Sequence, residues 1–146
     1  MSLNWTKRTK QRKQALRILF EMDIGNSSLE EVLKGKFLAG QKEPSEFTIS
    51  LVTLVLNNRE KLDDLITRYA KGWDLGRMPV LDRNILRMAL AEIFFIEDVP
   101  PGVTIDEAVE LAREFSTEDS GKFVNGVLGR INRDREEGKI QLQGLP

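Results

Sequence analysis

Between Leu81 and Ile96 the chain carries apolar residues around more of a helical circumference than a surface helix can hold. At about 100° per residue, Leu81, Ile85, Met88, Ala89, Ile93 and Ile96 fall on one side, and Leu86, Leu90 and Phe94 lie beside them. A helix apolar over so wide an arc is buried from several directions, so the rest of the chain has to be arranged around it. The other periodic segments also repeat at helical spacing and none alternates as a strand would, which makes the fold class all-α. Helices are expected near 6 to 23, 29 to 39, 45 to 57, 59 to 71, 80 to 96, 105 to 115 and 118 to 135. They are separated where Gly, Pro and Asn cluster, at Gly25 to Ser27, Gly40 to Pro44, Gly72 to Pro79 and Asp98 to Gly102. The Gly72 to Pro79 connection divides this compact bundle of about seven helices into two packed halves that share one core. Trp73 in that connection is expected to pack as a plug. A length of 146 residues suits one domain, 1–146, with a basic N-terminal arm over about 1–12. The tail over about 136–146 is charged, then Gly- and Gln-containing, and is expected to be poorly ordered.

Local signals refine the second half. Thr104 with Glu107 three residues on has the form of a capping box, and Ser116 or Thr117 starts the last helix. Val124, Val127, Leu128 and Ile131 follow i, i+3, i+4, i+7 and form its buried stripe. Gly126 is expected to permit close helix packing. The adjacent pairs Asp63-Asp64 and Glu97-Asp98 read as solvated surface, and Glu118-Asp119 as first-turn charges favourable to the helix dipole.

Composition excludes most chemistry. There is no Cys and no His, which removes disulfides, thiol nucleophiles, the usual zinc ligands, Ser-His-Asp triads and imidazole acid/base catalysis. No nucleotide-type Gly-rich loop is present. The chain is therefore read as a non-enzyme with no catalytic residue, no metal and no cofactor. The longest uncharged run, Phe47 to Asn58, falls short of the roughly 18 apolar residues of a membrane span, so no membrane is expected. The lack of cysteine fits a reducing, cytoplasmic setting.

Charge is distributed unevenly. Residues 1 to 20 contain Lys7, Arg8, Lys10, Arg12, Lys13 and Arg17 with no acid, and the remaining 16 basic and 23 acidic residues leave the body at −7. A basic segment on an acidic body is a common nucleic-acid footprint. In the first helix Ala15, Ile18, Leu19 and Met22 form the core stripe. Opposite them Lys13, Arg17 and Phe20 fall at i, i+4 and i+7, which lines an aromatic ring up with two cations. In the last helix Phe123 flanks the buried stripe, a place that on spacing alone favours a core edge. A Phe beside a Lys and an Asn is also the combination single-stranded RNA uses, a stacking face with a cation for phosphate and an amide for base edges.

The segment VTIDEAVELAREFSTEDSGKFVNGVL, from Val103 to Leu128, resembles the signature VxINEAVELAKxFGxEDxxKFVNGVLD of the bacterial transcription antitermination factor NusB family. RTKQRKQALRILFEMD, from Arg8 to Asp23, is similar to that family's RRRARExALQALYxWD, and LDRNILRMALAE, from Leu81, to its VDRAILRLALYE. The departures are Thr9 within the arginine triplet, Phe20 for the usual Tyr, Asp106 for Asn, and Gly129 for the terminal Asp. The resemblance implies an RNA-binding antitermination factor. Such a protein binds single-stranded boxA-like RNA of nascent ribosomal RNA transcripts together with the small-subunit ribosomal protein acting as NusE, within the RNA polymerase antitermination complex. Carried over residue by residue, it implies RNA contacts at Arg8, Lys10, Arg12, Phe20, Asp119, Lys122, Phe123 and Asn125, to which the basic face of the first helix adds Lys13 and Arg17. Partner contacts are expected at the start of the central helix, at Asp82 and Arg83 and particularly at Asp82, because an acidic adaptor surface suits a basic ribosomal protein. A homodimer stays open. So do two other functions, a NusB-like domain associated with rRNA methyltransferase function and a helical protein-interaction module without RNA binding.

Overall fold

The computed structural model describes residues 4–72, 74–140 and 142, with the side chains of 4–7 left aside; Trp73 lies outside the described residues. Among these the chain forms seven helices and no strand: α1 (Asn4–Gly25), α2 (Leu29–Leu38), α3 (Glu46–Asn57), α4 (Arg59–Tyr69), α5 (Val80–Phe95), α6 (Pro101–Phe115) and α7 (Glu118–Glu136). Helix α5 is the hub. It packs against α1, α3, α4, α6 and α7, and α6 and α7 lie along one another as the second half of the molecule. Every residue from Asn84 to Phe94 is buried, so this helix is enclosed on all sides, as its wide apolar arc requires. One core joins both halves, with Ala15, Leu16, Ile18 and Leu19 from α1, Leu51, Val52 and Val55 from α3, and Val124, Val127, Leu128 and Ile131 from α7.

Helix ends follow local chemistry. Ser28 caps α2 with a full capping box: its Oγ accepts from Glu31 N at 3.1 Å, and Ser28 N donates to Glu31 Oε1 at 2.9 Å. Ser45 and Thr117 cap α3 and α7 in the simpler way, accepting from Thr48 N and Ser120 N. Helix α1 stops where Asn26 takes a positive φ of 50° and Ser27 N donates back to Met22 O.

Three expectations are corrected. Helix α6 begins at Pro101, not at a Thr104 cap, because Pro at the first helical position needs no N–H partner and has its φ already set. Thr104 is thus carried into the helix, where it is buried and donates its hydroxyl to Glu92 Oε2 at 2.6 Å. The tail is not wholly loose either: α7 runs to Glu136, Ile140 packs on the core, and Leu142 is 1% exposed within it. The close approach of α6 to α7 occurs at Gly121, where an added Cβ would lie 2.8 Å from Arg113 Cγ. At Gly126 it would meet only Arg130 Nη1 at 3.5 Å.

Candidate nucleic-acid interface

The six cations of the first helix do not form one solvated arm. Arg12 points inward and is 2% exposed. Its Nε and Nη2 donate to Glu92 Oε1 and Oε2 at 2.9 and 2.6 Å, and its Nη1 donates to Glu107 Oε1 at 3.0 Å. Burial works against the charge, but the hydrogen bond and charge of Glu92, with Glu107 behind them, outweigh it and hold the guanidinium above its ordinary range. Thr9 donates to the same Glu107 carboxyl, so α1, α5 and α6 are tied through one internal network. The expected phosphate contact at Arg12 is therefore corrected: its donors already serve two carboxylates.

Arg8 is partly enclosed. Its guanidinium lies 4.4 Å from the centroid of the Phe47 ring and pairs with Asp98 at 3.3 Å, an exposed pair that solvent can break. Lys13 pairs with Glu114 of α6 at 3.1 Å. Lys10 and Arg17 are exposed, and among the described residues neither has an ion-pair partner. Phe20 is half-buried and stands outside the core cluster.

The last helix presents the second group. Lys122, Asn125 and Asp119 are exposed, and Phe123 is half-buried at the edge of the core. Among the described residues the backbones of α1 and α7 do not come close to one another. Helix α6 packs against both and bridges the two groups, with Glu114 tied to Lys13 three residues before Thr117 caps α7.

Where the start of α5 meets the start of α7, a cleft of about 310 Å³ opens, lined by Met78, Pro79, Asp82, Ser116, Thr117, Asp119, Ser120 and Phe123. Ser120 Oγ donates to Asp82 Oδ2 at 2.8 Å and so pins the two helix starts together. Asp82 is 3% exposed, and its other oxygen, Oδ1, has no hydrogen-bond partner. The two residues expected at the partner surface, Asp82 and Arg83, are both engaged within the fold. Asp82 is enclosed beside the cleft, and Arg83 Nε and Nη2 donate to Asp23 at 2.9 and 2.8 Å. Asp23 resists charging through burial, yet Arg83, Asn84 and Arg87 together keep its carboxyl below the ordinary range.

Sequence reasoning missed Thr117, Ser120, Met78 and Pro79 as cleft walls. The cap signal at Thr117 located the helix start but said nothing of what faces it. It also missed Glu92 and Glu107 as the counter-charges of Arg12. No group among the described residues could hold a metal ion, and no helix there is long and apolar enough to cross a membrane.

A family model described as the NusB family matches residues 9–133. The transcription antitermination protein NusB of Saccharopolyspora erythraea is 46% identical over 126 residues, covering 85% of each chain. That of Pelotomaculum thermopropionicum is 42% identical over 139 residues, covering 94% of this chain and 96% of its own. A structure of T. maritima NusB superposes with a TM-score of 0.78 at 36% identity, over 91% of this chain and 97% of that one. A structure of the antitermination factors NusB and NusE in complex with double-stranded RNA gives a TM-score of 0.76 at 28% identity, over 86% and 96%.

Proposed function

The chain belongs to the NusB family, and from that premise we propose that it is an RNA-binding transcription antitermination factor working with the ribosomal protein that acts as NusE. Its RNA in this reading is a single-stranded boxA-type element of nascent ribosomal RNA, met in the cytoplasm within the antitermination complex of RNA polymerase. The observation that carries the proposal is the outer face of α7. There an exposed Lys122 and Asn125 flank a half-buried Phe123 that forms the lip of a cleft. Cation, amide and aromatic face are what an unpaired strand needs: phosphate neutralisation, an edge contact and stacking. Arg17, Lys10 and Phe20 on α1 supply a second run of cation and ring reached across the end of α6, with Arg8 added if its exposed pair opens.

The work is done by binding free energy, and it needs no reacting group. If the partner raises RNA affinity by some factor, RNA raises partner affinity by the same factor. Fluorescence anisotropy of a short boxA-like RNA, titrated with and without the NusE-type partner, tests this. The expected result is saturable binding that tightens when the partner is present. Affinity that is absent at low salt with and without the partner overturns it.

A further inference from the structure

We propose that the outer face of α7 from Gly126 to Arg133 is a further phosphate-binding surface, which holds RNA backbone running on past Lys122 and Asn125. The inference rests on the RNA-binding reading above and assigns a place to a second stretch of the strand. At about 100° per residue, Lys122, Gly126, Gly129, Arg130 and Arg133 fall within an arc of about 100° opposite the buried stripe of Val124, Val127, Leu128 and Ile131. Between Asp119 and Asp134 the helix has three cations and no acid, on a chain whose residues beyond 20 are 16 basic and 23 acidic. Cations gathered on one face of a helix are the electrostatic footprint of a phosphate backbone.

Two features of this face suit a strand. The first is a preorganised arginine. Arg130 Nη2 donates to the Tyr69 carbonyl at the end of α4 at 3.0 Å, and among the described residues no acid pairs with its guanidinium. That bond fixes the planar group on the surface and leaves further N–H donors for phosphate oxygens. Arg133 is exposed on the next turn, and Lys71, two residues past Tyr69, is exposed as well; among the described residues neither has an ion-pair partner. Asp134, which ends the acid-free run, already accepts from the Tyr69 hydroxyl.

The second feature is the lack of side chains between the cations. A Cβ at Gly129 would meet nothing within 4 Å, and one at Gly126 would meet only Arg130 Nη1 at 3.5 Å, an ordinary contact. Neither glycine has a positive φ, and glycine weakens a helix relative to alanine, so the fold itself calls for neither. A bare stretch of helix lets a strand approach the backbone closely. Gly129 also stands where the signature compared above ends in Asp, so this chain carries no negative charge midway along the track.

The helix rise of about 1.5 Å per residue places Arg133 about 16 Å beyond Lys122, a distance that about six nucleotides cover at roughly 3.4 Å each. The test therefore compares a short boxA-like RNA with the same RNA lengthened at one end or the other by about six adenosines. Each is titrated at several salt concentrations into wild type, Gly129→Asp, Gly129→Ala, and Arg130→Gln combined with Arg133→Gln. In wild type one lengthened RNA should bind more tightly than the short one and steepen the plot of log affinity against log salt by roughly 1.4, about 0.7 for each of two added phosphate contacts. The arginine pair of substitutions should remove that steepening. Gly129→Asp should weaken the lengthened RNA about fivefold, the repulsion of two unit charges roughly 4 Å apart in water, whereas Gly129→Ala should leave it near wild type. All four proteins should bind the short RNA alike. Both Gly129 substitutions add a side chain to open space, so they serve if the arginine pair does not fold.

Lengthened RNAs that bind wild type no more tightly than the short one overturn the inference, as does a gain that survives unchanged in Gly129→Asp and in the arginine pair. Variants that keep the gain but lose the protein partner also overturn it, and assign this face to that partner. In each of those outcomes binding of the short RNA survives. If wild type binds neither length at low salt, the RNA-binding reading fails and the inference falls with it.

Discussion

Helices α1 and α7 both carry cations and a phenylalanine on their outer faces, but they engage those cations differently. On α1, Arg12 is enclosed by Glu92 and Glu107, Lys13 is paired to Glu114, and Arg8 is stacked on Phe47 and paired to Asp98. Only Lys10 and Arg17 among the described residues of that segment stand in solvent without an ion pair. On α7, Lys122 and Asn125 are exposed beside the cleft, and no acid follows them until Asp134. A basic run in a sequence is therefore two things at once, a footprint for phosphate and a set of ties to acids elsewhere in the chain. The fold divides the one from the other.

The largest effect that could break this comparison lies at Arg12. Removing it leaves Glu92, 1% exposed, as an uncompensated buried charge, so Arg12→Ala should cost about 3 to 5 kcal/mol in a urea melt. Replacing both partners, as Arg12→Met with Glu92→Met, should recover most of that loss, because two apolar side chains need no counter-charge. A stable Arg12→Ala that binds RNA weakly would return Arg12 to the surface arm and undo the distinction.

Much of this architecture can be read from periodicity, because burial of an amphipathic face is a local pattern. The wide arc of α5 announced a hub, the i, i+3, i+4, i+7 stripe of α7 is fully buried, and the seven helices lie near their expected positions. What could not be read is pairing across distance. Arg12 and Glu92 are 80 residues apart, and nothing in either neighbourhood says that one will neutralise the other. The polar residues Asp82, Asn84, Arg87 and Glu92 fall between the apolar stripes of α5 and look solvated, yet all are buried because partners arrive from α1, α4, α6 and α7. Thr104 misled for a related reason, since Pro100-Pro101 starts α6 earlier than a side-chain cap would. The site was legible as residue types on α7. The cleft was not, because its walls come from the α4–α5 connection, the start of α5 and the α6–α7 turn.

A second effect sharpens the comparison within α7. Val127 is fully buried, so Val127→Ala should lower stability by about 1 to 3 kcal/mol through lost burial and a cavity, with RNA affinity kept. Phe123→Ala should behave in the opposite sense. It should lose less stability than the roughly 3 to 5 kcal/mol of a fully buried Phe, and weaken RNA binding by about the 1 to 3 kcal/mol of one stacked base. Paired melts and RNA titrations on both variants check this, and a Phe123→Ala protein that melts early but binds normally would make the ring a core residue.

The smallest effect concerns the cations that α1 leaves in solvent. Lys10→Glu with Arg17→Glu should keep the melting midpoint close to wild type. It should also flatten the plot of log affinity against log salt by roughly 1.4, since each single-strand phosphate contact contributes about 0.7. Lys13→Glu, whose charge already faces Glu114, should flatten the plot less than either of those substitutions alone. Equal slopes for all variants would mean that α1 takes no part in holding phosphate.

The most direct measurement of the central claim, that RNA lies along the outer face of α7 and reaches only the solvent cations of α1, is a titration of isotope-labelled protein with boxA-like RNA followed by backbone amide shifts. At 16.6 kDa the chain is small enough to resolve residue by residue. The predicted result is that the largest shifts fall between Asp119 and Asn125, with a second group around Arg17 and Phe20, while the amides of Arg12 and Glu92 stay near their free positions. Shifts centred on α2 or α4, with α7 unmoved, would contradict it.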